Sequence, residues 1–225
     1  MSSTAARVGY LLSPIVTTPG RRVGAYVDGF NLYRGMHDAR GRRGQWLDLE
    51  HLLESFLGPG QQLDVVHYFT AMVHGPGQVR QQAYLDALAA HCPKVIPHVG
   101  RFQIKQHRCR ACGATWTSYE EKESDVSLGV QMVEDAATAV VDESWLVSGD
   151  SDMAPAVRSI RRIAAAAQRD HRIVSIFPPR RGSQTLTQET DLTLRIFDKV
   201  PERHQLPDPV SDAAGNTISR PVHWK

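Results

Sequence analysis

Short runs of β-branched and aromatic residues alternate with stretches of helical period along most of this chain, and that alternation limits its fold more than any other feature. The strand-like runs are "VGAYVD" (23–28), "LDVVHYFTAMV" (63–73), "KVIPHVG" (94–100), "SWLVSG" (144–149), "RIVSIF" (172–177) and the shorter "TLRIF" (193–197). Helical spacing fills the gaps: "NLYRGMHD" after Gly29, "LDLEHLLESFL" (47–57), "GQVRQQAYLDALAAH" (77–91), "SDVSLGVQMVEDAATAVV" (124–141), "MAPAVRSIRRIAAAAQR" (153–169) and a turn near "SQTLTQE". In the helix from 124, Val126, Val130, Val133 and Ala137 recur on one side and are expected to face the core. Strands connected by helices of this length give βαβ units, so the expected fold is a three-layer α/β/α domain with a mainly parallel central sheet.

The 225 residues suit one core. The expected organisation is a flexible N-terminal extension over 1–21, a domain over 22–200, and a flexible tail over 201–225, where "LPDPVSDAAGN" turns to Pro, Asp, Ser and Gly. Residues 101–121 show neither period and read as a loop or hairpin insertion carrying a C-x-x-C pair. A hydrophobic share of 41% with 22% charged residues excludes a disordered chain, and a net charge of +2 is too small to argue for nucleic acid by itself. Three cysteines make no disulfide framework. With no run long enough for a membrane span, the expectation is a soluble cytoplasmic protein that contacts no membrane. The first 25 residues hold three arginines and no acid, but Pro14 and Pro19 break them, which disfavours a transit peptide.

The chemistry lies in the aspartates. Asp28 ends the first strand, Asp150 and Asp152 in "SGDSDM" follow the strand that ends at Val147, and Asp125 opens a helix. Ligands of open α/β sheets bind outside the carboxyl ends of the strands, so these acids are expected at one crevice. Carboxylates brought that close cannot all stay ionised without a counter-charge, and hard divalent cations supply one. Taken singly, each acid has a plainer reading: Asp125 as a helix N-terminal acid, Asp150 and Asp152 as turn residues. Together they favour Mg²⁺ or Mn²⁺. An aspartyl-phosphate phosphatase is excluded because Tyr26 stands where its nucleophilic carboxylate would be, and nothing supports a nucleotide-sugar site.

"AYVDGFNLY", "EEKESDVSLGVQMV" and "VSGDSDMAPAVR", in this order, resemble the NYN domain, a branch of the PIN-like nuclease superfamily that includes LabA-like bacterial proteins. The resemblance spans roughly residues 22 to 198, on the scale of one domain. It implies a PIN-like (Rossmannoid) fold and a metal-dependent ribonuclease that leaves a 5′ phosphate and a 3′ hydroxyl. Asp28, Asp125, Asp150 and Asp152 would then hold Mg²⁺ or Mn²⁺, Asn31 would orient a water or phosphate, and Glu123 would be a peripheral acid. Ser183 and Asp191 resemble family positions near the site, Asp191 having the plainer reading of a helix-end cap. The alternative is an RNA-binding module of the same fold that barely cleaves.

Arginines matter by location. Arg180 and Arg181 in "FPPRRGS" follow the strand ending at Phe177 and are expected at the same edge, as RNA-phosphate contacts. Arg40, Arg42 and Arg43 in "ARGRRG" form a second candidate contact, although such runs are more often solvated faces. His107, Cys109 and Cys112 in "HRCRACG" offer part of a structural zinc site, with His91, Cys92 or His98 as the missing ligand; a pair of reduced thiols is the plainer reading. Trp116 and Tyr119 are expected to pin that loop to the core rather than stack on an unpaired base. His67, Met72 and Met132 read as packed residues. RNA is the expected partner, with oligomeric state open and a homodimer among the options.

Overall fold

The computed structural model describes residues 20–224, so the expected N-terminal extension lies outside the described residues except for its last two positions. The chain runs β1 (Arg21–Asp28), α1 (Gly29–Arg40), α2 (Leu49–Glu54), β2 (Gln61–Ala71), α3 (Pro76–His91), β3 (Val95–Arg108), β4 (Thr115–Lys122), α4 (Ser124–Ala137) and β5 (Glu143–Val147). It continues through α5 (Ala154–Ala166), β6 (Arg172–Phe177), α6 (Gln184–Glu189), β7 (Leu192–Arg195), β8 (Val210–Ser211) and β9 (Thr217–Ile218).

Seven strands form one sheet in the order β4-β3-β2-β1-β5-β6-β7. Every neighbouring pair is parallel except β3 and β4, which form an antiparallel hairpin at one edge. The chain reverses its direction of travel across the sheet between β1 and β5, which makes their carboxyl ends a topological switch point. Val27 pairs with Val147, so the two strands finish side by side.

Period-two alternation sorts the side chains into two cores. Val23, Ala25 and Val27 of β1 join Trp145 and Val147 of β5 on one face, under α1, α2 and α3. Tyr26 and Leu146 point the other way, against Leu128 and Met132 of α4, Val157 and Ile160 of α5, and Leu186 of α6. The three-layer α/β/α arrangement is therefore present. All five residues of β5 are buried, as a central parallel strand covered on both faces requires.

Of the loop or hairpin expected over 101–121, the structure has the hairpin: β3 extends well beyond Gly100 and pairs with β4 from Arg101–Lys122 to Arg108–Thr115. Two expectations change. The buried face of α4 is Leu128, Met132 and Ala136, while Val126 is 71% and Val130 58% exposed. Helix α4 is apolar around much of its circumference, and the longer Leu and Met side chains bury more area than Val, which decides the face. Val133 is partly buried, as expected.

The segment from Pro201 is not loose. Leu206 and Val210 are buried, Leu206 N donates to Trp46 O at 2.9 Å, and Trp46 Nε1 donates to Pro207 O at 2.9 Å. Trp224 packs on Trp46 and Tyr84, with ring centroids 6.4 and 6.0 Å away.

Candidate active site

The carboxyl ends of β1 and β5 carry the first two acids, and local hydrogen bonding fixes both. Asp28 is buried as the N-cap of α1: its Oδ1 accepts from Asn31 N at 2.9 Å. Its Oδ2 accepts from Ser148 Oγ at 2.9 Å, and the same hydroxyl accepts from Asp150 N at 3.1 Å. Ser148 thus ties the end of β1 to the loop after β5. Asp150 caps the next turn, its Oδ1 accepting from Asp152 N at 2.9 Å. Gly149 N donates to Asn31 Oδ1 at 3.0 Å, which leaves the Asn31 amide nitrogen without a protein partner among the described residues.

Asp125 reaches the crevice from α4. Burial, then the charges of Asp150 and Asp152, push its carboxyl above the ordinary carboxylate range, so these three acids share one electrostatic environment. The chain enters α4 through Glu123, which is exposed, makes no side-chain cap and holds φ at 78°, a left-handed conformation that costs a residue with a Cβ. Glu123 therefore stands exposed at the start of α4, two residues before Asp125.

The donor set is all oxygen and mutually repelling, which fits a hard divalent cation. Both Asp28 oxygens accept protein hydrogen bonds, which fix the orientation of the carboxylate. No preassembled cage exists, however: among the described residues no three Asp, Glu, His or Cys groups stand in metal-holding geometry.

The loop after β6 lies against this crevice. A Cβ on Gly149 would come within 2.8 Å of Gly182 N and 2.9 Å of Arg181 Cβ, and one on Gly35 within 2.6 Å of Pro179 O. Arg180 and Arg181 are thus at the expected edge, each paired: Arg180 with Asp198 at 3.1 Å, and Arg181 with Asp38. Ser183 caps α6 by accepting from Leu186 N at 3.3 Å. Asp191 lies elsewhere. Its carboxylate accepts from Ile173 N and Arg161 at the amino-terminal end of β6, where it holds β7 in place, so it does not join the acids.

The second arginine run divides. Arg40 pairs with Glu202 at 2.7 Å, Arg43 helps hold the Glu202 carboxyl below its ordinary range, and Arg42 borders a cavity beside α1. The zinc grouping stays partial. Cys112 is exposed at the tip of the β3–β4 hairpin, and His107 stacks on the half-exposed Trp116 at 5.2 Å, so Trp116 pins nothing to the core. The Tyr119 side chain lies outside the described residues. The remaining ligands are engaged elsewhere: His91 with Asp48 at 3.4 Å, Cys92 buried beside Asp48 with its thiol pushed up to about 12, and His98 with His67 at 2.9 Å.

Two features had no expectation. Ser148 gave no motif signal beyond its place in "VSGDSD", because its role depends on two distant partners. His67 is buried as expected, but within a polar chain: Tyr26 OH donates to Asp135 Oδ2 at 2.8 Å, and His67 Nε2 lies 3.2 Å from the same oxygen. Burial raises the Asp135 pKa, and hydrogen bonds from His67, Tyr26 and Gln131 outweigh it and hold that carboxyl down.

Comparison with known proteins agrees with this architecture. A Vibrio parahaemolyticus protein of unknown function superposes with a TM-score of 0.52 at 19% identity, over 80% of this chain and 95% of that one, which speaks for the fold alone. The 6-hydroxy-3-succinoylpyridine 3-monooxygenase HspA of Pseudomonas putida (strain DSM 28022 / S16) is 30% identical over 208 residues. The match takes in 76% of this chain and 63% of that protein, so this chain spans under two thirds of its relative's length. The NYN domain matches residues 22–167, which include β1 to β5 and all four aspartates. The chain belongs to the NYN domain family, within the PIN-like superfamily.

Proposed function

We propose that the chain is a ribonuclease that hydrolyses RNA phosphodiester bonds with Mg²⁺ or Mn²⁺. The observation that carries this reading is the shared environment of Asp125, Asp150 and Asp152 at the switch point beside Asp28. Asp28, Asp125, Asp150 and Asp152 are the residues that would hold the ion, which when bound supplies a Lewis acid for a phosphoryl oxygen and for the attacking water. Ser148 keeps Asp28 and the Asp150 loop in register, and the Asn31 amide nitrogen would orient a water or phosphate oxygen. Arg180 and Arg181 exchange their exposed acids for RNA phosphates; such surface pairs are worth only about 0–1 kcal/mol, so phosphate competes readily.

The test is cleavage of a mixed RNA pool by wild type and Asp28→Asn, with Mn²⁺, Mg²⁺ or chelator. Cleavage lost in both chelator and variant supports the reading. RNA bound but uncut under every metal replaces it with a binding module.

A second reading rests on the Pseudomonas relative, which is named a 6-hydroxy-3-succinoylpyridine 3-monooxygenase. Under it the chain would oxidise a hydroxypyridine. Oxygen uptake that depends on a hydroxypyridine and a reductant, in protein that leaves RNA intact, would favour it.

A further inference from the structure

The β3–β4 hairpin carries two cysteines at its tip, away from both cores. Residues 109–114 join Arg108 to its partner Thr115, and all of them but Cys109 are exposed. Packing gives no reason for thiols there, since free cysteine is among the most often buried residues, as Cys92 is in this chain.

The tip backbone folds tightly around the first sulfur. Cys109 N donates to Ala114 O at 2.7 Å and Gly113 N donates to Cys109 O at 2.9 Å, with Gly113 at a φ of 71°, the left-handed conformation that closes the turn. The N–H groups of Cys112 and Ala111 donate to the Cys109 sulfur, and the Cys112 thiol is hydrogen-bonded to it as well. Donors aimed at a sulfur favour the thiolate, the form that holds metals. Two adjacent sulfurs at C-x-x-C spacing make one half of a tetrahedral zinc site.

The other half is not found in the same chain. The third cysteine, Cys92, is buried beside Asp48 with its thiol pushed up to about 12. His107 is stacked on Trp116, and no third Asp, Glu, His or Cys among the described residues joins the pair in metal-holding geometry. Two thiolates leave zinc short of the four ligands of a structural site. A second copy of the tip supplies the missing two by twofold symmetry, the commonest relation between identical chains. Exposure lets two tips meet, and charge favours the meeting. Zinc with four thiolates is doubly negative, and Arg108 and Arg110 flank Cys109 on each tip, the Arg108 guanidinium lying 3.9 Å from where a Cβ on Gly113 would stand.

We infer that Cys109 and Cys112 of two copies of this chain together hold one structural Zn²⁺, which joins the copies tip to tip. The four aspartates take no part, so the site stands or falls apart from the ribonuclease reading.

The experiment measures zinc content and molar mass of the full chain under reductant, after dialysis with Zn²⁺ and again after a chelator. Zinc retained by wild type, less that retained by Cys112→Ser, comes to one ion for each pair of chains. The mass by light scattering doubles with zinc and returns in chelator. Cys109→Ser and Cys112→Ser, at an exposed tip, keep the wild-type circular dichroism and the lower mass when zinc is present. Tagged and untagged wild-type chains, mixed, copurify only with zinc, a test that needs no variant. One zinc per chain with unchanged mass, a site completed within one copy or by water, overturns the inference. A doubled mass that survives chelator or either serine variant overturns it equally, as does wild type that retains no more zinc than Cys112→Ser or chains that fail to copurify with zinc.

Discussion

Ser148→Ala removes one oxygen atom and two hydrogen bonds from the candidate site. The hydroxyl donates to a buried carboxylate oxygen of Asp28 and accepts from Asp150 N, at 2.9 and 3.1 Å, and the residue is fully buried, so water cannot take its place without rearrangement. A hydrogen bond to a charged group contributes about 1.5–3 kcal/mol and a neutral one about 0.5–1.5, so the loss should be about 2–4 kcal/mol. For a chain of this length that is a fall in Tm of about 4–16 °C. Urea unfolding followed by circular dichroism measures it directly. The same change loosens Asp28 without removing it, so RNA cleavage should fall about 10- to 100-fold, the usual cost of losing a partner that orients a metal-holding carboxylate. The loss should appear in kcat with KM little changed, because Ser148 touches no substrate. A variant that loses under about 0.5 kcal/mol and cleaves at the wild-type rate would refute the claim that this hydroxyl joins β1 to the β5 loop.

Other outcomes follow from the same structure. Leu206→Ala should cost about 2–4 kcal/mol in urea unfolding, since the side chain is 3% exposed; a cost near zero would mean the C-terminal segment contributes nothing to the core. Glu123→Gly should stabilise by about 1 kcal/mol by relieving the left-handed backbone, and a loss of stability in calorimetry would contradict the strain argument. The Arg22 hydrogen bonds hold the Asp142 carboxyl down to about 2. Its folded pKa is depressed, so its contribution is complete above the unfolded value of about 3.9 and is lost as pH falls through about 2. Asp142→Asn should flatten acid unfolding across that window; an unchanged pH profile would remove the pair from the balance.

What the sequence disclosed follows from how locally each property is determined. Strands β1, β5 and β6 were legible because a parallel strand buried on both faces is an uninterrupted apolar run. The β3–β4 hairpin was legible only as an alternative to a loop, because its far end carries exposed polar residues such as Gln106, Arg108 and Thr117 that alternate with no apolar set. The face of α4 was misread because Val126 and Val130 match Leu128 and Met132 in character, and only the packed sheet distinguishes them. Asp28, Asp150 and Asp152 could be placed from the ends of strands, and Asp125 from the start of a helix. Ser148 and the Tyr26–Asp135–His67 chain could not, because each depends on partners that tertiary structure brings together.

The chemistry of the cut RNA ends bears most directly on the proposed activity. Wild-type protein incubated with a defined RNA in Mn²⁺ should produce 5′ phosphate and 3′ hydroxyl ends, with no products in chelator. Products bearing 5′ hydroxyl and 2′,3′-cyclic phosphate that persist in chelator, or no products in any metal, would contradict a hydrolysis carried by the four aspartates.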